Sequence, residues 1–216
     1  TVTGVQTCAL PILPMLAAVR RQHPDHVFHI DCNGGYRAGD TDLFREIDRF
    51  ELAMIEQPLQ HDDLIDHAAL QGRIRTPICL DESITSVRQA EQAIALGSAR
   101  WFNIKPGRVG GITPALRIYE LARLSGIGCW VGSMLESSIG TRIATALAML
   151  DHFTYPADLF PTSKLYHEEI TGQNLELVRS EKGEPSIALE EKPGIGEGPS
   201  EKRLRAVTKQ HAQLRA

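Results

Sequence analysis

No lysine precedes Lys105, so lysine-based chemistry is excluded from the first half of the chain. An excess of charge is missing too: 23 Lys and Arg stand against 27 Asp and Glu, a formal charge of −4. That balance argues against a dedicated nucleic-acid binder, which needs clustered cations to meet phosphates. Cysteine is sparse. Cys8, Cys32, Cys79 and Cys129 show no C-x-x-C spacing, and reduced thiols in a cytoplasmic protein are the simplest reading. No apolar run approaches the about 18 residues of a membrane span. The apolar run Cys8–Val19 contains Pro11 and Pro14 and has its first basic residue, Arg20, behind it, the reverse of a secretory signal. What remains is 42% hydrophobic and 23% charged over 216 residues, enough for a sizeable core in a globular chain.

The first residues stand apart. The string VTGVQTCALPI, Val2–Ile12, matches the translation of a common sequencing-library adapter, so residues 1–12 are expected to be non-native and are set aside from fold reasoning. From Leu13 the chain repeats one unit: a short apolar strand, a polar loop and an amphipathic helix. Strands are expected at 26–30, 52–55, 77–80, 101–104 and 128–131, with a final short one near 153–155. Helices are expected at 42–50, 64–71, from Thr85 or Ser86 to Leu96, at 114–124 and at 137–150, with Gly97 and Gly126 as stops. Such alternation implies parallel pairing, hence a (β/α) barrel or a doubly wound sheet, over residues 13–160. Residues 161–216 read differently, as a hairpin (175–178 with 187–189), the turn-rich PGIGEG (193–198) and a charged tail.

Charged residues fall at a fixed place in this pattern. Asp31, Glu56, Asp81 and Lys105 each follow an apolar strand directly, at intervals of 25, 25 and 24 residues. A parallel barrel would bring all four to its C-terminal mouth, where such folds carry catalysis. Three converging carboxylates require a cation, and hard oxygen donors suit Mg2+ best, with Mn2+ as an alternative. A lysine confined beside a dication can act as a base near neutral pH.

The motifs DCNGGY (31–36), IEQPL (55–59), LDESI (80–84), NIKPGRVGG (103–111) and GSMLESSIG (132–140) together resemble the enolase superfamily, in its muconate cycloisomerase-like subgroup. That subgroup includes o-succinylbenzoate synthases, N-acylamino acid racemases and dipeptide epimerases. The resemblance implies a partial TIM-type (β/α) barrel holding about strands 3–8, with residues 161–216 as a tail that would pack on an N-terminal capping domain. It implies Mg2+ on Asp31, Glu56 and Asp81, a small-molecule carboxylate substrate, and Lys105 as a base for the proton α to that carboxylate. The resulting enediolate would be stabilised by the metal. Asn33 and Glu82 would orient ligands and balance charge. Ser133, Glu136 and Arg108 would approach the substrate, with a helix N-terminal carboxylate as the alternative for Glu136 and an exposed arginine for Arg108. The complete enzyme would be a homo-oligomer, with no nucleic-acid or membrane partner. The lean within the subgroup is to o-succinylbenzoate synthase-type dehydration in menaquinone synthesis. Asp158 is followed by Leu159 and Phe160 rather than by the D-x-D of dipeptide epimerases, which lowers that option.

One departure matters. The family carries a second catalytic lysine in a K-x-K motif about one unit before the first metal ligand. Val5–Thr7 occupies that place, so the chain is expected to be a truncated piece that folds poorly and lacks turnover. A non-catalytic relic of the barrel is the alternative of another class. Two lesser features carry bland readings. His23, His26 and His29, three apart, look like a metal motif, but Pro24 interrupts any helix and a ligand role is not expected. GRVGG (107–111) reads as a tight turn beside Lys105, and EKRLR (201–205) as a solvated helix face.

Overall fold

Apolar strands buried on both faces dominate the first part of the chain. In the computed structural model, which describes residues 12–172, 174–181, 183–188 and 194–209, α1 (Ile12–Gln22) leads into β1 (Ile30–Asp31) and α2 (Thr41–Ile47). Then follow β2 (Ile55–Glu56), α3 (Leu64–Gln71), β3 (Ile78–Leu80), α4 (Val87–Leu96) and β4 (Trp101–Ile104). The one-turn α5 (Pro106–Val109), α6 (Ile112–Ser125) and β5 (Gly128–Val131) complete the series. The suspected adapter segment lies outside the described residues except for Ile12, as do Val5–Thr7, Leu189 and Pro193.

The strands pair in chain order, β1-β2-β3-β4-β5, with parallel registers that set Asp31 beside Glu56, Glu56 beside Cys79 and Leu80 beside Phe102. A parallel bridge from Cys129 to Phe153 carries the pattern to a sixth position. One face of the strands, Ile55, Ile78, Leu80, Phe102 and Ile104, is fully buried toward the helix layer. The other face places Met54, Cys79 and Trp130 together, with Trp101 and Tyr155 packed against them. Each such side chain contributes about 1.5–3 kcal/mol by leaving water. This alternation of strand and crossover helix is the expected α/β, partial-barrel architecture.

Local chemistry sets the ends. Ser86 caps α4 by accepting from the Gln89 N–H at 3.2 Å, and Gly97 ends that helix in the left-handed region at φ 70°. Two elements are shorter than the sequence pattern predicts. The strand expected from His26 begins only at Ile30, because Val27 points outward and the His26 carbonyl accepts from the Arg20 guanidinium at 2.8 Å. The helix expected over 42–50 leaves α geometry after Ile47. There the Asp48 carboxylate accepts from the backbone N–H groups of Arg75 and Thr76 (2.9 and 2.8 Å) and from the Thr76 hydroxyl, and a 3-10 turn follows.

The described residues up to Trp130, with His152–Tyr155, form one unit; Val131–Asp151 and the described residues from Pro156 onward form another. In the second unit α7 (Ser138–Ala148) precedes an antiparallel hairpin, β6 (Leu177–Arg179) and β7 (Pro185–Ile187), and then α8 (Glu201–Val207). The buried Glu169 carboxylate accepts from the Ser138 N–H at 2.6 Å, satisfying a donor at the start of α7. Arg203 anchors α8 by donating to the Glu169 and Thr171 carbonyls. Among the described residues no helix is long and apolar enough to cross a membrane.

The most tightly covered glycine of the first unit tests this packing. A Cβ on Gly128 would lie 2.6 Å from the Trp101 ring. Gly128→Ala is expected to cost about 1–3 kcal/mol by overpacking, read as a lower denaturation midpoint with an unchanged slope. Wild-type stability in that variant would show that the indole swings aside freely.

Candidate active site

Strand alternation places residues two apart on one face, so the charged strand-end residues share their side of the sheet with His29, Met54, Cys79 and Asn103. Glu56 and Asp81 are each 3% exposed. Lys105 sends Nζ to Asp81 Oδ2 at 2.8 Å, and Arg108 grips the other Asp81 oxygen. Glu56 accepts from Asn103 Nδ2 at 2.7 Å through Oε1 and faces His29 Nε2 at 3.3 Å through Oε2. Asp31 accepts from the Asn33 N–H at 3.0 Å, and Asn33 reaches that position with a left-handed φ of 45°.

The site is short of positive charge. Burial raises the carboxyl groups of Asp31 and Glu56 above their ordinary range, and neighbouring Asp81 pushes both further; the Asn33 and His29 hydrogen bonds only partly offset this. Burial, then the repulsion of Asp81, pushes Glu82 up to about 7. Its Oε2 and Asn103 Oδ1 are buried without a hydrogen-bond partner. Such orphaned acceptors in a desolvated carboxylate cluster are what a bound cation or its waters would satisfy.

Among the described residues, no three carboxylate, imidazole or thiol side chains converge closely enough to form a ready-made metal cage. Asp81 is turned onto Lys105 and Arg108, and Glu56 onto His29 and Asn103. The donor chemistry nevertheless fits a hard divalent ion: oxygens only, mutually repelling, and ending adjacent parallel strands. Cys32 and Cys79 nearby are held as neutral thiols, first by burial and then by the adjacent carboxylates. Chemically, the arrangement can hold a dication beside one lysine able to carry a proton.

Arg108 is half-buried rather than an exposed arginine. Its side chain is 16% exposed, and it also donates to the carbonyls of Ile84 (3.0 Å) and Asn103 (2.8 Å), tying the end of β3 to that of β4. Ser133 and Glu136 belong to the second unit. Ser133 Oγ is buried without a partner, and the Glu136 carboxylate accepts from the Met134 N–H at 2.6 Å, ahead of α7.

Sequence reasoning misses Gln57. It is 1% exposed, at φ 35°, and its amide makes four hydrogen bonds. Oε1 accepts from the Asp81 and Ser83 N–H groups (3.0 and 3.2 Å), while Nε2 donates to Ser83 Oγ and the Leu59 carbonyl (2.8 and 3.0 Å). Gln57 thereby staples the end of β2 to that of β3 and fixes the backbone that carries Asp81. His67, fully buried on α3, continues the support: Nε2 accepts from the Leu59 N–H at 3.2 Å, so Nδ1 donates to the Asp63 carbonyl. The signal available for Asn103 and His29 was their two-residue offset from Lys105 and Asp31. Gln57 and His67 had none, because their partners lie across loops.

Gln57→Ala leaves two buried N–H groups unpaired and is expected to cost about 2–4 kcal/mol in chemical denaturation; a loss below the scatter of surface variants would remove its stapling role. His67 gives a pH dependence. Burial holds its imidazole below its ordinary 6.5, so it folds neutral, and the stability tied to it is complete above pH 6.5 and declines as pH falls through the lower folded value. Denaturation midpoints at about pH 7.5 and about pH 5.5 should differ less in His67→Gln than in the wild-type chain. Equal differences in both would show that other groups carry the acid sensitivity.

Comparison with known proteins joins this geometry to a family. Residues 13–203 match the family described as enolase C-terminal domain-like. The chain is 40% identical over 198 residues to an o-succinylbenzoate synthase of Bacillus subtilis, covering 89% of this chain and 52% of that protein. It is 43% identical over 162 residues to an N-succinylamino acid racemase of Thermus thermophilus, covering 75% and 44%. A solved structure described as a probable mandelate racemase from Alicyclobacillus acidocaldarius superposes with a TM-score of 0.83 at 35% identity, over 91% of this chain and 50% of that one. The chain thus spans about half the length of the relatives it matches. Strand order, strand-end residues and similarity agree: the chain belongs to the enolase C-terminal domain-like family of the enolase superfamily.

Proposed function

We propose that this chain carries the metal-binding half of an active site that removes a proton α to a carboxylate, in o-succinylbenzoate synthase-type dehydration. The observation that supports it best is the adjacent, in-register placement of Asp31 and Glu56 with Asp81 and Lys105 at the same strand ends. The names of two similar proteins put a succinyl group in the product of one and the substrate of the other, which favours succinyl-bearing ligands. N-succinylamino acid racemisation is the second reading, supported by the 43% identity to that racemase.

In this reading Asp31, Glu56 and Asp81 hold Mg2+, with Mn2+ able to replace it. When bound, the dication draws negative charge onto the substrate carboxylate, lowering the cost of charge that builds up as the α-proton departs. Lys105 holds and moves that proton at Nζ, and its 2.8 Å contact with Asp81 fixes where Nζ starts. Arg108 and Gln57 keep the Asp81 carboxylate and backbone in place. Asn33 orients Asp31, Asn103 orients Glu56, and Glu82 contributes charge beside Asp81. Ser133 and Glu136 are assigned to the substrate pocket. Residues 1–12 are assigned as non-native, 13–160 as barrel units and 161–216 as a C-terminal segment. The site is set in a cytoplasmic, homo-oligomeric parent enzyme.

Lys105 is the first lysine of the chain, so the two-lysine acid–base pair is not supplied here. The expected outcome for the purified chain is Mg2+ binding by calorimetry without net dehydration or racemisation of succinylated substrates. Asp81→Asn should weaken Mg2+ binding by more than about tenfold. Unchanged Mg2+ affinity in that variant would sink the ligand assignment, and turnover at family-like rates would sink the assignment of inactivity.

A further inference from the structure

The three histidines of the first strand region look like a motif without a function, and only one of them meets the site. His29 lies two residues before Asp31, on the same face of the chain, with its ring 26% exposed. Its Nε2 stands 3.3 Å from Glu56 Oε2 and its Nδ1 3.0 Å from the Tyr155 hydroxyl. The ring packs edge-on against Tyr155, with centroids 5.5 Å apart, and tilted against Trp130 at 5.7 Å. Tyr155 in turn packs edge-on against Trp101 and Trp130. Two aromatic side chains, Tyr155 and Trp130, therefore pack one imidazole against one carboxylate, and Trp101 backs Tyr155.

The chemistry gives this chain of contacts a direction. An ionised carboxylate only accepts, so Nε2 carries the proton that points at Glu56. In the neutral ring, with Nε2–H as donor, Nδ1 is the acceptor and the Tyr155 hydroxyl donates to it. Tyr155 to His29 to Glu56 is thus a one-way relay of hydrogen bonds that sets the imidazole tautomer and ring angle. On the other Glu56 oxygen, Asn103 donates at 2.7 Å. Glu56 is thus held at both oxygens, which reduces its freedom to turn.

The geometry points to His29, backed by Tyr155, as a positioning residue that presents Glu56 to the divalent cation. His29 acts through Glu56 and is not itself a ligand. The inference rests on the metal reading proposed above, and it adds a function to a residue outside the strand-end set. A carboxylate held at two oxygens loses less freedom when it coordinates, and ligand partners of this kind commonly change metal affinity by about 10–100-fold.

Mn2+ serves as the probe, by calorimetry and by its electron paramagnetic resonance line shape, on the full chain. His29→Phe keeps an aromatic ring against Tyr155 and Trp130 but removes the N–H donor. It is expected to weaken Mn2+ binding by about tenfold or more and to broaden the bound-Mn2+ spectrum. His29→Gln restores a donor and should return affinity to within about threefold of wild type. Tyr155→Phe, which removes one hydroxyl, should fall between the two. A purely structural role for His29 would shift thermal midpoints and leave the spectrum and the glutamine rescue unaffected. If His29→Phe does not fold, Tyr155→Phe decides, and an affinity equal to wild type overturns the relay. Wild-type binding with equal affinity in folded His29→Phe overturns the role of His29 alone. Absence of Mn2+ binding by the wild-type chain overturns the metal reading and this inference with it.

Discussion

Uncompensated carboxylate charge at the ends of buried parallel strands is the constraint on which the site depends. Parallel pairing sets successive strand ends side by side, and here those ends are Asp31, Glu56 and Asp81. Two of the three are nearly inaccessible, and water cannot screen them. Lys105 and Arg108 neutralise Asp81, while Glu56 has only neutral donors and one imidazole. The raised carboxyl groups of Asp31, Glu56 and Glu82 are the measure of what remains. A divalent cation, as proposed for this site, would offset that charge through the carboxylate oxygens gathered there.

The supporting residues form a ring around that cluster. Gln57 joins the ends of β2 and β3, Arg108 joins those of β3 and β4, and Asn103 reaches from β4 back to Glu56. Gln57 and Arg108 each reach a neighbouring βα unit and Asn103 spans from β4 past β3 to β2, so rigidity at the site is shared across units rather than stored in one loop. His67 extends the ring outward, holding the turn after β2 through Leu59. The carboxylates here are oriented by neighbours that themselves make buried hydrogen bonds.

Much of this was legible beforehand, for identifiable reasons. The 64–71 helix and the 101–104 and 128–131 strands coincide with the structure because apolar runs and end signals lie within each segment. The strand-end spacing was visible because one βα unit has a nearly constant length. Strand starts were less so: His26 and Val27 continue an apolar-looking run, yet Arg20 captures the His26 carbonyl from a helix preceding it. The 42–50 helix breaks early for a similar reason, since Asp48 answers to Arg75 and Thr76.

Arg108 and Gln57 mark the boundary between the two kinds of information. Local order in the chain dictated the strand–helix alternation, the α/β class and the placing of Asp31, Glu56, Asp81 and Lys105 at strand ends, because periodicity and spacing act over a few residues. The partners of those side chains were set by three-dimensional packing. Arg108 meets Asp81 across 27 residues, Gln57 meets Ser83 across 26, and Tyr155 meets His29 across 126. No propensity or period encodes such pairings, since they depend on which strands lie adjacent and how far each loop carries a side chain toward the next.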